Sequence, residues 1–339
     1  LCALEALVFH LALSLLVAPA AFAVMPSDPV AGSFAIGAPI HRDGLTVYPI
    51  LNPGAEKAPD EGFLTLADAL AIGALTVTEQ GHGMQVASLR VHNRGKVPVL
   101  VMAGEMVEGG HQDRVITQDL VVPPSDAPMV VQVNCVERGR WEGGHQFAYG
   151  GRAELGLRRV VQVRRDQGAT WEAVASMNSS KAALLQALGH DPGVVSSPTE
   201  TYLAGTRARA IERQVAKLTL EIDEELAKEA DVVGVVVAVG GEVVGGEIYG
   251  HTEVFDAVRR STLAAVARDV MTTGTYGVAM SAPDVAVAAA FLDDALAGRV
   301  VAHHPGPAGA TRALEGEDTV AYALDDEDGD LVHLTAYRR

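Results

Sequence analysis

Apolar and polar positions alternate through most of the first half of the chain and recur at helical spacing through much of the second. "FAIGAPIHRDGLTVYPIL" (Phe34–Leu51) reads as strand, Arg-Asp-Gly turn, strand, and an acidic, proline-bearing loop follows. "TLADALAIG" predicts a short helix capped by Thr65 and stopped by Gly73. Strands are predicted at Leu75–Glu79 and Val86–Asn93, then in "VPVLVMAGEMVEGG", "ITQDLVVPP" and "MVVQVNCVERGRW". After Trp141 the glycine-rich "WEGGHQFAYGGRAELG" predicts a long irregular loop.

Beyond it, "TWEAVASMNSSKAALLQALG" and "GTRARAIERQVAKLTLEIDEELAKEA" carry helical periodicity, and "VVGVVVAVGGEVVGGEIYG" reads as an apolar hairpin. Two more helices follow, one with Thr252 as N-cap and Gly274 past its end, one with Ser281 as N-cap. The chain closes on a hairpin, "DTVAYALD" and "LVHLTAYR" around an acidic turn. Strands gather early and helices late, so the predicted class is α+β: a strand-rich half (24–150) and a helix-rich half (151–339) packed on it as one unit. Val99–Gly110 and Val235–Gly246 share an apolar strand followed by Gly-Glu-x-Val-x-Gly. Either this marks two related half-units or it is what any apolar hairpin requires.

Composition narrows the function classes. The formal net charge of −17 argues against a nucleic-acid partner, and the only modest basic clusters, Arg158-Arg159 with Arg164-Arg165 and Arg207-Arg209-Arg213, read as solvated faces. An apolar run over 7–17 ends in Ala21-Phe22-Ala23, which fits a signal-peptidase site and predicts residues 1–23 as a signal peptide. The run is too short for a stable membrane span in the mature form, and it implies export to a periplasmic or extracellular space. No Lys or Arg precedes it and the chain opens on Leu1; a true start at Met25 would instead mean a cytoplasmic protein. Cleavage would remove Cys2 and leave Cys135 alone, unable to form an internal disulfide. The sequence does not define the oligomeric state.

The densest polar stretches are "GEMVEGGHQDR" (Gly104–Arg114) and "CVERGRW" (Cys135–Trp141). Each follows an apolar strand, and adjacent strand ends would bring them together. Arg114 and Arg140 could hold an anionic group, with Gln112 and Asp113 supplying amide and carboxylate contacts and Trp141 a stacking face. Glu105 or Glu137 could serve as a general base. The competing reading is a buried Glu–Arg network bracing a glycine-rich turn. "EGGHQ" occurs twice, at 108–112 and 142–146, but no HxH, CxxC or HExxH accompanies His111 and His145, so no metal site and no cofactor is predicted. Walker, dinucleotide-binding and G-x-S-x-G motifs are absent from the sequence.

"AGEMVEGGHQDRVITQDLVVPP", "VQVNCVERGRW" and "VVGVVVAVGGEVVGGEIYGHTEVFD", in this order, resemble the ARG and Rhodanese-Phosphatase-superfamily-associated Protein domain (ARPP) family. The likeness runs from about Ile36 to the final hairpin, strongest at Gly104-Glu105, Gln112-x-Arg114 and Cys135–Trp141. It implies a context of ADP-ribose, nucleotide or phosphate handling and no defined reaction. The expected function is therefore binding, with or without hydrolysis, of an ADP-ribose-like or other phosphorylated nucleoside, and the residues do not decide whether the protein is an enzyme. The alternative is a non-catalytic envelope or scaffold module in which the Glu/Arg cluster is structural.

Overall fold

A computed structural model describes residues 34–54, 62–80 and 87–339. The predicted signal peptide and most of the acidic loop after Leu51 lie outside the described residues. Along the chain come β1 (Ala35–Ile36), β2 (Ile40–Arg42), β3 (Leu45–Leu51), β4 (Leu64–Thr65), α1 (Leu66–Ala71), β5 (Leu75–Glu79) and β6 (Ser88–Asn93). There follow β7 (Val99–Val101), β8 (Glu105–Gly109), β9 (Arg114–Ile116), β10 (Leu120–Val122), β11 (Met129–Cys135) and β12 (Phe147–Arg152). The second half runs α2 (Leu155–Arg159), a π-helical turn (Val160–Arg164), α3 (Gln167–Ala187), α4 (Tyr202–Thr206), α5 (Arg209–Leu226), β13 (Val232–Val239) and β14 (Glu242–Tyr249). It ends with α6 (Thr252–Thr273), α7 (Val285–Leu296), β15 (Arg299–Gly306), β16 (Gly309–Glu315), β17 (Thr319–Asp325) and β18 (Leu331–Arg338). The class is α+β, strand-rich first and helix-bearing later, with a closing hairpin. Among the described residues no helix is long and apolar enough to cross a membrane.

Two sheet systems carry the fold. In the first, strands pair in the order β12-β8-β9-β11-β6-β5. The ends of this sheet meet, since Thr78 bridges Gln146 and the Glu79 amide donates to the His145 carbonyl at 3.1 Å. The sheet therefore closes on itself around Leu75, Val77, Val107, Ile116, Val133 and Phe147, leaving no free edge there. A small sheet, β10-β7-β4, and helix α1 pack into this core. The second system is one long antiparallel sheet, β1-β3-β13-β14-β18-β17-β16-β15, with β2 on β3. Val232–Val239 is buried throughout, because both faces are covered: α5 and α6 lie over one, α7 over the other.

Local chemistry placed several elements as expected. Thr65 caps α1 by accepting the Asp68 amide at 3.1 Å, and Gly73 beyond it takes a left-handed φ of 72°. Asp43 and Gly44 both have positive φ, the requirement of a two-residue hairpin turn. Other expectations are corrected. The stretch after Trp141 is not all loop: Phe147–Arg152 is strand β12, paired with β8 through a bulge at Gly150, and Leu155 opens α2. The ladder to β8 outweighs the low strand propensity of its glycines. Helix α7 is capped by Asp284 rather than Ser281, and His251, not Thr252, precedes α6. The hairpin β15–β16 adds two strands that no sequence pattern marks: β15 is an edge whose residues are almost all exposed, so it lacks the half-buried alternation of a strand.

Candidate functional site

The two "EGGHQ" copies meet at one end of the closed sheet. The first forms the end of β8 and its turn; the second leads into β12, and the Gly110 amide donates to the Gln146 carbonyl at 3.1 Å. Their histidine rings stand edge-to-face, 5.8 Å between centroids. Among the described residues no group of three or more His, Cys, Asp or Glu side chains is placed to hold a metal ion.

Beside this seam the chain gathers Gln112, Asp113, Arg114, Glu137 and Arg140. The Arg140 Nε donates to Glu137 Oε2 at 2.8 Å. Its Nη1 donates to the carbonyls of Gly110 (2.8 Å) and Glu142 (3.4 Å), and its Nη2 to Gly109 O (3.2 Å) and Asp113 Oδ1 (2.9 Å). A guanidinium has five N–H donors, and all five are engaged. Asp113 also accepts from the Gly109 amide and from Thr201 Oγ1, while Glu137 accepts the Asp113 amide. Burial pushes the Asp113 carboxyl up, offset in part by the Gly109 amide. Burial also raises Glu137, but Arg140 and its other donors outweigh that and hold it low. Arg114 is buried, its Nη1 on the Gln112 carbonyl at 2.6 Å and its Nη2 3.8 Å from Glu79. Gln112 is buried too, its amide donating to Arg138 O. Trp141 does not join this cluster and is 48% exposed.

Glu105 belongs elsewhere. It is 2% exposed, accepts the Met102 amide at 2.8 Å, and burial lifts its pKa to about 7 against the pull of that amide and of Arg152. Next to it runs a second buried charge network that joins the two sheet systems. Glu247 of β14 bridges Arg152 at 2.6 Å and Arg158 at 2.5 Å, and its other neighbours are Tyr249 and His333. His333 Nδ1 meets Asp119 Oδ2 at 2.7 Å. Burial raises the Glu247 carboxyl, but Arg152 and Arg158 overwhelm it and hold the group far below the ordinary range. Burial lowers His333, yet Asp119 and Glu247 carry it above its usual value. A charged residue in an otherwise apolar strand, as in "VVGGEIYG" and "LVHLTAYR", is the sequence signal that marks Glu247 and His333.

Arg138, two residues before Arg140, faces open space rather than this cluster. A cleft of about 670 Å³ runs between α3 and the loop that precedes α4, lined by Arg138, Trp171, Glu172, Asn178, Val195 and Glu200 among others. That volume is within the usual range of small-molecule sites. The segment after β11 is tied to the loop wall, since the amides of Arg138 and Gly139 both donate to Thr199 O at 3.0 Å. The Arg138 guanidinium lies over the Trp171 ring, 5.5 Å from its centroid. The sequence pointed to an arginine and a tryptophan here, but the pair that meets is Arg138 with Trp171, not Arg140 with Trp141. Trp171 and Val174, Ala175, Asn178 and Ala182 recur at helical spacing on α3, which is the pattern that could have revealed this face.

Fold and site together define an α+β protein with a closed antiparallel sheet, a long helix-covered sheet, an internally satisfied Glu–Arg clamp and a cleft beside it. The chain belongs to the ARG and Rhodanese-Phosphatase-superfamily-associated Protein domain family, whose pattern matches residues 33–337. No curated protein and no solved structure matches it.

Proposed function

We propose that this domain is a non-catalytic binding module in which the Asp113–Glu137–Arg140 cluster is a structural brace. The observation that carries this reading is the engagement of all five Arg140 donors by carboxylates and carbonyls of its own chain. An arginine held this way has no donor left for a phosphate, and Arg114 is buried against Gln112. A second reading, hydrolysis of an ADP-ribose-like or other phosphorylated nucleoside, would use Glu105 as its general base, a carboxyl that burial at 2% exposure pushes up towards neutrality.

The two readings separate in one experiment. ADP-ribose, NAD and nucleoside phosphates are incubated with the wild type and with Arg140→Ala, and product formation and melting temperature are followed. The brace reading expects no turnover, and Arg140→Ala to lose about 2–3 kcal/mol of stability, below the 3–5 of a fully buried broken pair because Arg140 is 27% exposed. Turnover abolished by Glu105→Gln in a folded variant would establish the hydrolase instead.

A further inference from the structure

The charges that line the cleft beside the brace point to a particular ligand class. Arg138, Glu172 and Glu200 all line it, and among the described residues none of the three side chains makes an ion pair. The neighbouring Arg140 and Asp113, by contrast, are paired with each other at 2.9 Å. Glu200 is also held in a left-handed backbone conformation, φ 53°, which is uncommon for a residue with a side chain. Its amide donates to Ser197 O at 3.1 Å, and the Thr201 amide to Ser197 Oγ at 3.1 Å, which fixes the loop that carries it. Trp171, Val174 and Val195 supply an apolar wall between the charges.

One guanidinium and two carboxylates give this lining a net charge of −1. A phosphorylated ligand would meet one cation and two repelling groups. A ligand with both an ammonium and a carboxylate matches both signs, and an apolar body matches the wall. We infer that the cleft binds a zwitterionic α-amino acid or short peptide with apolar side chains. Arg138 takes the carboxylate, Glu172 and Glu200 take the ammonium, and the side chain lies against Trp171. This rests on the binding-module reading above and adds the ligand to it.

The test uses the full chain carrying Trp141→Phe, which leaves Trp171 as the sole tryptophan and its fluorescence as the reporter. L-leucine, leucyl-leucine and trileucine are titrated beside leucinamide, N-acetyl-leucine and AMP. The expected result is saturable quenching by at least one zwitterion, with leucinamide and N-acetyl-leucine each weaker by about tenfold or more, and AMP weakest. Arg138→Gln should erase the preference over leucinamide, and Glu200→Gln should reduce the preference over N-acetyl-leucine. The order among the three zwitterions tells free amino acid from peptide. Isothermal titration of the unsubstituted protein repeats the series. AMP binding more tightly than every zwitterion, equal binding of leucine and N-acetyl-leucine, or no binding at millimolar concentration overturns the assignment. The brace is judged separately, by the stability of Arg140→Ala.

Discussion

Gly104→Ala is the most direct test of how the two sheet systems are joined. Gly104 has φ 84°, and a Cβ there would stand 2.1 Å from Arg158 Cγ and 2.3 Å from its Cδ. The arginine stem passes over bare backbone on its way to Glu247, 2.5 Å from its Nη1. Alanine at a left-handed position costs roughly 1–2 kcal/mol. Forcing a carbon into a packed interior costs about 1–3 more, and any shift of Arg158 pulls a buried charge from its partner. The expected loss is thus about 3–5 kcal/mol, read from the midpoint of urea denaturation with an unchanged slope. Arg158→Ala removes the obstacle, so adding Gly104→Ala in that background should cost only the backbone part, about 1–2 kcal/mol. A loss below about 1 kcal/mol for the single variant, or full additivity of the two, would refute the reasoning.

Three further outcomes follow from the same interior. Glu247→Gln keeps the shape but leaves Arg152 and Arg158 without their shared carboxylate; about 3–5 kcal/mol should be lost in denaturation. Glu105, with its pKa raised from 4.5 to about 7, stays protonated in the folded state while the unfolded chain ionises. Its contribution to stability is therefore full below about pH 4.5, falls as pH rises towards 7, and is flat beyond. Between pH 5 and 7.5 the wild type should lose about 1–3 kcal/mol more than Glu105→Gln, and parallel curves would refute this. Asp269, raised to about 7 by burial and by Glu154, accepts the amides of Leu155 and Gly156; Asp269→Asn should show the same flattening.

Local signals made much of the chain legible. The turn at Asp43-Gly44, the Thr65 cap and the final hairpin depend on neighbours in sequence, and each was readable. Partner choice was not. β3 pairs with β13, so the first strands of the strand-rich half belong to the long sheet of the second half, and nothing in "LTVYPIL" names a partner so distant. The gathering of Gln112, Asp113, Arg114, Glu137 and Arg140 followed from adjacent strand ends, since Cys135 pairs with Arg114. That Arg140 turns inward while Arg138 lies over Trp171 depends on α3 and the loop at Thr199, which sequence order does not place. Asp119, Arg152, Arg158, Glu247 and His333 come from five separate stretches of the chain, and Arg158 beside Arg159 reads in sequence as a solvated basic pair although it is fully buried, so their meeting is not legible in sequence order.

The similar segments Val99–Gly110 and Val235–Gly246 show why a shared pattern underdetermines structure. In the second, Gly240 and Gly241 have φ 61° and 82°, the chain reverses in a two-residue turn, and β13 pairs with β14. In the first, β7 pairs with β10 while β8 pairs with β9 and β12, so the strand changes sheet instead of folding back. The decisive residue is the glutamate after the glycine. Glu242 is exposed and only its backbone closes the turn, opposite Val239, whereas the Glu105 carboxyl accepts the Met102 amide and its own amide donates to Met102 O at 3.1 Å. That side chain closes the corner from within, and Gly104 leaves room for Arg158 to cross it. The same Gly-Glu pair is a solvent-facing reversal in one place and, in the other, a buried corner that joins the two sheets.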